Sequence, residues 1–131
     1  MTQIIQMQNY DLDYHPAMPI IEIGLSKPED MQPSLFLTAI IDTGADATII
    51  PLRVLKKMAA ISVDDTYLKG ITGSRRRVKL YAVSVYIGEH RVYVSRVIAD
   101  AKNDEIIIGR DVLNQLEVTL NGFAEVTEIR S

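Results

Sequence analysis

Apolar positions in this chain fall into short clusters of strand length rather than long helical stripes, and turn-forming residues separate the clusters. Two breaker-rich stretches, His15-Pro16-Ala17-Met18-Pro19 and Ser26-Lys27-Pro28-Glu29-Asp30-Met31-Gln32-Pro33, bracket Ile20-Ile21-Glu22-Ile23, which reads as a strand. Leu35-Phe36-Leu37-Thr38-Ala39-Ile40-Ile41 is a near-continuous apolar run with aromatic and β-branched members, the pattern of a core strand covered on both faces. After a polar turn at 42–46, Thr48-Ile49-Ile50 predicts a second short strand. Pro51 then stands where helices accept proline as their first residue, ahead of Leu52, Leu55 and Met58 at helical spacing. Lys56 and Lys57 suit the last turn of that helix, where the dipole favours cations.

From Val63 onward the pattern is almost entirely strand. Thr66-Tyr67-Leu68-Lys69 leads through Gly70-Ile71-Thr72-Gly73-Ser74 into a long segment at 75–87, which predicts a hairpin with a glycine-rich tip. The outgoing arm changes phase near Tyr81-Ala82, as a strand does that starts exposed and ends in the core. Gly88-Glu89 turns the chain, 92–98 returns, and a polar loop at 101–104 precedes the apolar run Ile106-Ile107-Ile108. Residues 110–116 fit a short helix with Val112, Leu113 and Leu116 inward. Asn121-Gly122 between two strand-like segments is the strongest two-residue hairpin signal in the chain. The sum is an all-β (mostly β) barrel or sandwich of short strands with two short helices.

Length and composition narrow this further. At 131 residues, with 47% hydrophobic and 24% charged residues, the chain has room for one core and the balance of an ordinary folded domain. No apolar run reaches the length of a membrane span, and no basic region followed by an apolar stretch marks a leader, so a cytoplasmic location is the expectation. Without cysteine there is no thiol nucleophile, disulfide framework or zinc knuckle. His15 and His90 are solitary, so neither a metal nor a cofactor is expected. A net charge of −3 gives no general attraction to phosphate backbones. The Arg75-Arg76-Arg77 run is the one basic patch, ordinarily a solvated face; as a functional patch it would favour acidic substrates near the base of the hairpin.

The chemistry gathers at Asp42. Its carboxylate emerges at the end of a core strand, where a lone charge is expensive unless hydrogen-bonded or paired. Thr43 adds a hydroxyl, and Gly44 permits a close backbone approach; a plain Asp-Thr-Gly turn ending a strand would look the same in isolation. A faint internal echo accompanies it, since Ile107-Ile108-Gly109 is likewise an apolar strand end followed by a short helix.

Ile40-Ile41-Asp42-Thr43-Gly44-Ala45-Asp46-Ala47-Thr48 resembles the active-site motif of the retropepsins, the retroviral-type aspartic proteases. Ile106-Ile107-Ile108-Gly109-Arg110-Asp111-Val112-Leu113 is similar to their second signature, and the glycine-tipped hairpin lies between the two, where that family keeps its flap. The resemblance implies a retropepsin-like barrel at 19–131, with 1–18 an arm or pro-segment. It implies Asp42 as the catalytic acid, supported by Thr43, Gly44, Arg110, Asp111 and Thr48. Ala45, Asp46, Ala47, Gly70, Ile71, Thr72 and Gly73 would meet the substrate, with Ile71 at the flap tip. Asp46 would form a buried or half-buried ion pair with Arg110, and Asp111 would reach Thr48. Ala47 departs from the second acidic residue common at that step, which makes the cleft less polar there. One Asp-Thr-Gly per chain implies a homodimer that hydrolyses peptide bonds, with the hairpin at 118–129 available for the dimer sheet. Two other classes compete. One is a retropepsin-like dimerisation or peptide-binding module without turnover; the other is a Gly-x-x-Gly nucleic-acid loop of KH type at 70–73, which the strand-like flanks and acidic balance disfavour.

Overall fold

The computed structural model describes residues 2–69 and 72–131. Ten strands and two short helices follow in the order β1 (Ile4–Asn9), β2 (Ile20–Ser26), β3 (Leu35–Ile41), β4 (Ile49–Pro51), α1 (Leu52–Lys57), β5 (Ser62–Lys69), β6 (Arg75–Ile87), β7 (His90–Asp100), β8 (Ile106–Ile108), α2 (Arg110–Leu113), β9 (Glu117–Asn121) and β10 (Val126–Arg130). The chain is mostly β, with 55% of the described residues in strands and 8% in helix. Strands run in the order β2-β3-β8-β4-β7-β6, and β6 pairs back onto β2 through Gly24 with Tyr86 and Leu25 with Val85, closing a barrel. Closure removes the open edges that an extended sheet would present. β5 hangs on β6 alone, so the β5–β6 hairpin extends from the barrel toward its tip. A second sheet, β1-β10-β9, carries the two ends of the chain, and β1 arises within the segment read as an arm.

The barrel interior is aliphatic: Ile21, Leu25, Ile50, Val83, Ile87 and Ile108 are all fully enclosed. β6 changes phase as expected, and the device is a bulge between Tyr81 and Val83 in its pairing with β7. Ahead of the bulge Val78 and Leu80 are buried while Arg77 and Lys79 are exposed; past it Val83, Val85 and Ile87 take over. Gly88, at φ 59°, makes the tight turn that sets Ile87 opposite His90, a conformation costly to any side chain.

Four local expectations need correction. β3 is covered on one face only: Ala39 and Ile41 are buried, while Phe36 is 77% exposed, because no layer packs outside this part of the barrel. Pro51 closes β4 by pairing with Asp100 and only caps α1, so the helix begins at Leu52. α2 ends at Leu113, after which Gln115 and Leu116 N–H groups bond to Val112 and Leu113 carbonyls in tighter turns. The Asn121-Gly122 pair does not make a two-residue turn. Asn121 pairs with Val126, leaving a four-residue loop in which the Asn121 side chain accepts the Ala124 N–H at 3.0 Å and Glu125 takes the positive φ, 54°.

Asp100 ends β7 and organises the loop that follows. Only 9% exposed, its Oδ1 accepts the Lys102 and Asn103 N–H groups, and its Oδ2 accepts the Asn103 side-chain amide at 2.9 Å. Burial by itself would raise this carboxyl, but the Lys102 N–H, the Asn103 amide groups and the nearby Arg76 outweigh it and hold it below the usual range. A carboxyl lowered on folding stabilises the fold above its unfolded value of about 3.9, and that stability disappears as pH falls through the folded value. Asp100→Asn is therefore expected to cost about 1–2 kcal/mol at pH 7 and progressively less below pH ~4, a difference that urea unfolding at the two pH values measures.

Candidate active site

Two apolar strands lie side by side in parallel, with Ile41 in register with Ile108. Each runs out of the barrel at the same level, so Asp42, which ends β3, stands beside Gly109, which ends β8. The Asp42 N–H donates to the Ile108 carbonyl at 3.0 Å, carrying the ladder one residue past the strand. The echo between the two strand ends is thus a spatial pairing. Asp42 is half-buried, and its Oδ1 accepts the Gly44 N–H at 2.9 Å while its carbonyl accepts the Ala45 N–H at 3.2 Å. These bonds make a compact Asx turn that fixes the carboxylate's direction and leaves its second oxygen free of the turn. Thr43 and Gly44 are exposed beside it.

Downstream, the chain from Ala45 to Thr48 wraps around Gly109. Arg110 donates its N–H to the Ala45 carbonyl at 2.9 Å, and Gly109 donates to the Thr48 hydroxyl oxygen at 3.2 Å. Thr48 is fully buried; its N–H and hydroxyl donate to the two carboxylate oxygens of Asp111 at 2.9 and 2.7 Å. One carboxylate at the start of α2 thereby satisfies both donors of a residue with no access to water. Asp111→Ala is expected to lower stability by about 2–4 kcal/mol, since it orphans both groups; thermal unfolding monitored by circular dichroism measures the loss.

Arg110 reaches the same loop from outside. One guanidinium nitrogen donates to the Thr43 carbonyl at 2.8 Å and the other to the Asp46 carboxylate. Their side chains are 43% and 91% exposed, so the ion pair is a solvated one and not the buried or half-buried pair expected. The reason is local: Asp46 projects outward from a tight turn, and nothing among the described residues covers it. Its contribution to folding is accordingly small, and the guanidinium's bond to the Thr43 carbonyl adds a further tie between α2 and the Asp42 turn.

Ala47, half-buried next to Asp46, opens onto a cavity of about 520 Å³ whose far wall is formed by Thr66, Leu80, Tyr93 and Arg96. Arg96 is held there by Asp64, whose carboxylate accepts its Nη1 at 3.2 Å. The Asp65 N–H and then Arg96 keep the Asp64 carboxyl below its ordinary value. Sequence reasoning did not single out these wall residues; the alternation of β7, in which Val92 and Val94 are buried and Tyr93 is 56% exposed, is the signal that could have. Of the expected flap residues, Thr72 and Gly73 are exposed, Gly73 at φ 85°, whereas Gly70 and Ile71 lie outside the described residues. Strands flank this turn on both sides, unlike the two helices that a KH loop joins. Of the three arginines behind it, all exposed, Arg77 pairs with Asp65 on the neighbouring strand. Among the described residues no cluster of His, Asp and Glu could hold a metal, and no helix is long and apolar enough to cross a membrane.

The fold is shared with proteins of known class. At a TM-score of 0.65 and 11% identity, a retropepsin-like aspartic protease from Rickettsia conorii aligns over 99% of this chain and 94% of its own. The EIAV protease, solved with the inhibitor HBY-793, aligns at 0.58 and 18% identity over 82% of this chain and 93% of its own. The foamy viral protease-reverse transcriptase, solved with an RNA/DNA hybrid, aligns at 0.52 and 19% identity over 76% of this chain and 12% of that longer one. No individual curated protein matches the sequence. The family model described as retroviral aspartyl protease matches residues 15–121, from the segment before β2 to the end of β9, and the chain belongs to that family.

Proposed function

We propose that the protein is an aspartic endopeptidase that works as a symmetric homodimer, each subunit contributing Asp42 to one catalytic dyad. A single observation carries this reading: the chain holds one Asp-Thr-Gly turn, with the Asp42 carboxylate fixed by the Gly44 N–H at the mouth of the barrel and Thr43 and Gly44 exposed beside it. Peptide hydrolysis by carboxylates needs one base and one acid, and one chain offers half of that pair. Across a two-fold axis, two carboxylates about 3 Å apart share one proton, because both cannot ionise at that distance. The ionised member takes a proton from water, whose oxygen attacks the scissile carbonyl. Its protonated partner gives a proton to the carbonyl oxygen, and the tetrahedral intermediate then collapses as the leaving amine takes up a proton. The pair supplies every proton transfer, so the reaction calls for no metal or cofactor.

The remaining residues divide by position. Thr48, Asp111 and Arg110 position the turn through the bonds described above. Ala45, Asp46 and Ala47 form one wall of the cleft, and the β5–β6 tip, Gly70, Ile71, Thr72 and Gly73, closes over an extended peptide. Incubating the purified protein with a diverse peptide mixture between about pH 4 and pH 7, with products read by mass spectrometry, tests the proposal. Internal cuts that need Asp42 establish the activity and its specificity. If sedimentation shows a dimer and no peptide is cut at any pH, the chain is instead a retropepsin-like binding or dimerisation module.

A further inference from the structure

We propose that the open edge of β6 at 75–79 is a docking site for an acidic stretch of a protein substrate, separate from the stretch that is cut. The docked segment joins β6 as an added strand and sets an apolar side chain into the cavity beside it. Its effect on cleavage rests on the protease reading above; the docking itself does not. β7 pairs with β6 from His90 as far as Ile98 and then departs, its residues 98–100 running beside β4 instead. From Arg75 to Lys79, β6 therefore has β5 on one side and, among the described residues, no strand on the other. The wedge between the parting strands is a cavity of about 210 Å³. Leu52, Val78 and Ala99, buried or half-buried, give it apolar walls, and the exposed Arg76, Lys79 and Lys102 add charge. It shares no lining residue with the cavity beside Ala47.

The charge at this edge is not spent within the subunit. Arg77 is paired with Asp65, but among the described residues no carboxylate lies within ion-pair distance of Arg75, Arg76, Lys79 or Lys102. Asp100, the acid at the end of β7, is nearly buried and commits both oxygens to its own loop. An unpaired strand edge offers N–H and C=O groups at a spacing that an extended polypeptide matches and a small anion does not. Cations on such an edge keep a neutral strand away, and the same cations favour a strand that carries carboxylates. Val78 lies on one face of β6 and Arg75 and Lys79 on the other, so a strand alternating apolar and acidic residues satisfies both faces. No aromatic ring lines the cavity for a base to stack on, which argues for a polypeptide over a single-stranded nucleic acid.

The test is fluorescence polarisation of a short labelled peptide alternating glutamate and valine, added to the Asp42→Asn protein so that nothing is cut. The peptide binds, and its lysine–valine counterpart does not. Lys79→Glu combined with Lys102→Glu, with unchanged far-ultraviolet circular dichroism, weakens binding at least ~10-fold. Of the two alternate N-methylation patterns of the peptide, one abolishes binding and the other is tolerated, because only every second N–H of an added strand faces β6. Appended to a sequence that the wild-type protein cuts, the acidic segment lowers KM and leaves kcat unchanged, and the double lysine variant loses that gain while cutting the unextended peptide as before. Undiminished binding by the double variant, or tolerance of both N-methylation patterns, overturns the docking site and leaves the protease reading standing. Displacement of the labelled peptide by a short RNA at lower concentration than by the unlabelled peptide makes the edge a nucleic-acid site and overturns it too. The expected binding pattern in a wild-type protein that cuts no peptide upholds the docking site and removes the protease reading.

Discussion

Asp42→Asn lowers peptide cleavage at least about a thousandfold while leaving the fold of the subunit unchanged. The asparagine oxygen still accepts the Gly44 N–H that organises the turn, and the backbone bond from residue 42 to the Ile108 carbonyl does not involve the side chain. What is lost is a titratable group at a site where two such groups must trade a proton. Neither member of an asparagine pair can take a proton from water or give one to the carbonyl oxygen. Subtraction of one partner in such a unit removes nearly the whole effect, because the members do not act independently.

The same variant separates a shared site from a self-sufficient one. Mixed after dissociation and reassociation, wild-type and Asp42→Asn subunits distribute at random between dimers. With a fourfold excess of variant, only about one fifth of wild-type subunits find a wild-type partner, so activity per wild-type subunit falls about fivefold. An enzyme complete in one chain shows no fall. Titrating the variant into a fixed amount of wild type and following the initial rate gives the answer in one curve.

The strand ends that build this site were legible in the sequence because their physics is local. Apolar runs at 35–41 and 106–108 have nowhere to go but a core, and the polar residues that stop them must lie at its rim. Where they end up relative to each other is not local. The pairing of Ile41 with Ile108, and hence the meeting of Asp42 with Gly109, follows from barrel closure, which the similarity to a known motif supplied and periodicity did not. The Thr48–Asp111 bonds were likewise expected from that similarity and are present.

The misjudged features share a cause. An apolar run shows that one face is buried without showing whether a layer covers the other, which is why Phe36 is exposed where a doubly covered strand was expected. Asn121-Gly122 favours a two-residue turn, but the register between β9 and β10 is set by the sheet, with Val118 opposite Ile129, and the loop adapts by using Asn121 as a cap. The family resemblance implied a buried or half-buried Asp46–Arg110 pair; the pair forms, but the turn points the Asp46 carboxylate outward into solvent.

Gly109→Ala is expected to be the most damaging glycine-to-alanine change among the described residues. The cost does not come from backbone conformation, since Gly109 has φ −95° and ψ −174°, an extended shape open to any residue. It comes from space: a Cβ would sit 2.7 Å from both the Ala47 carbonyl carbon and its oxygen and 3.0 Å from the Ala45 oxygen. These are backbone atoms of the loop that wraps the strand end, pinned by the Arg110 and Thr48 bonds, and they cannot swing aside as a side-chain tip can. Relief requires moving the 45–48 loop away from β8, which strains the Thr48–Asp111 bonds and shifts the turn that aims Asp42. A loss of about 3 kcal/mol follows, with cleavage reduced further than the folded fraction explains. Gly24→Ala is the discriminating control, because its Cβ would meet the Pro33 side chain at 2.8 Å, away from the Asp42 turn. It should lower the thermal midpoint yet leave the kcat of the folded protein intact. Gly122→Ala, with nothing within 4 Å, should change neither. If Gly109→Ala folds and cleaves as Gly24→Ala does, the wrapped loop is not what holds Asp42 in place.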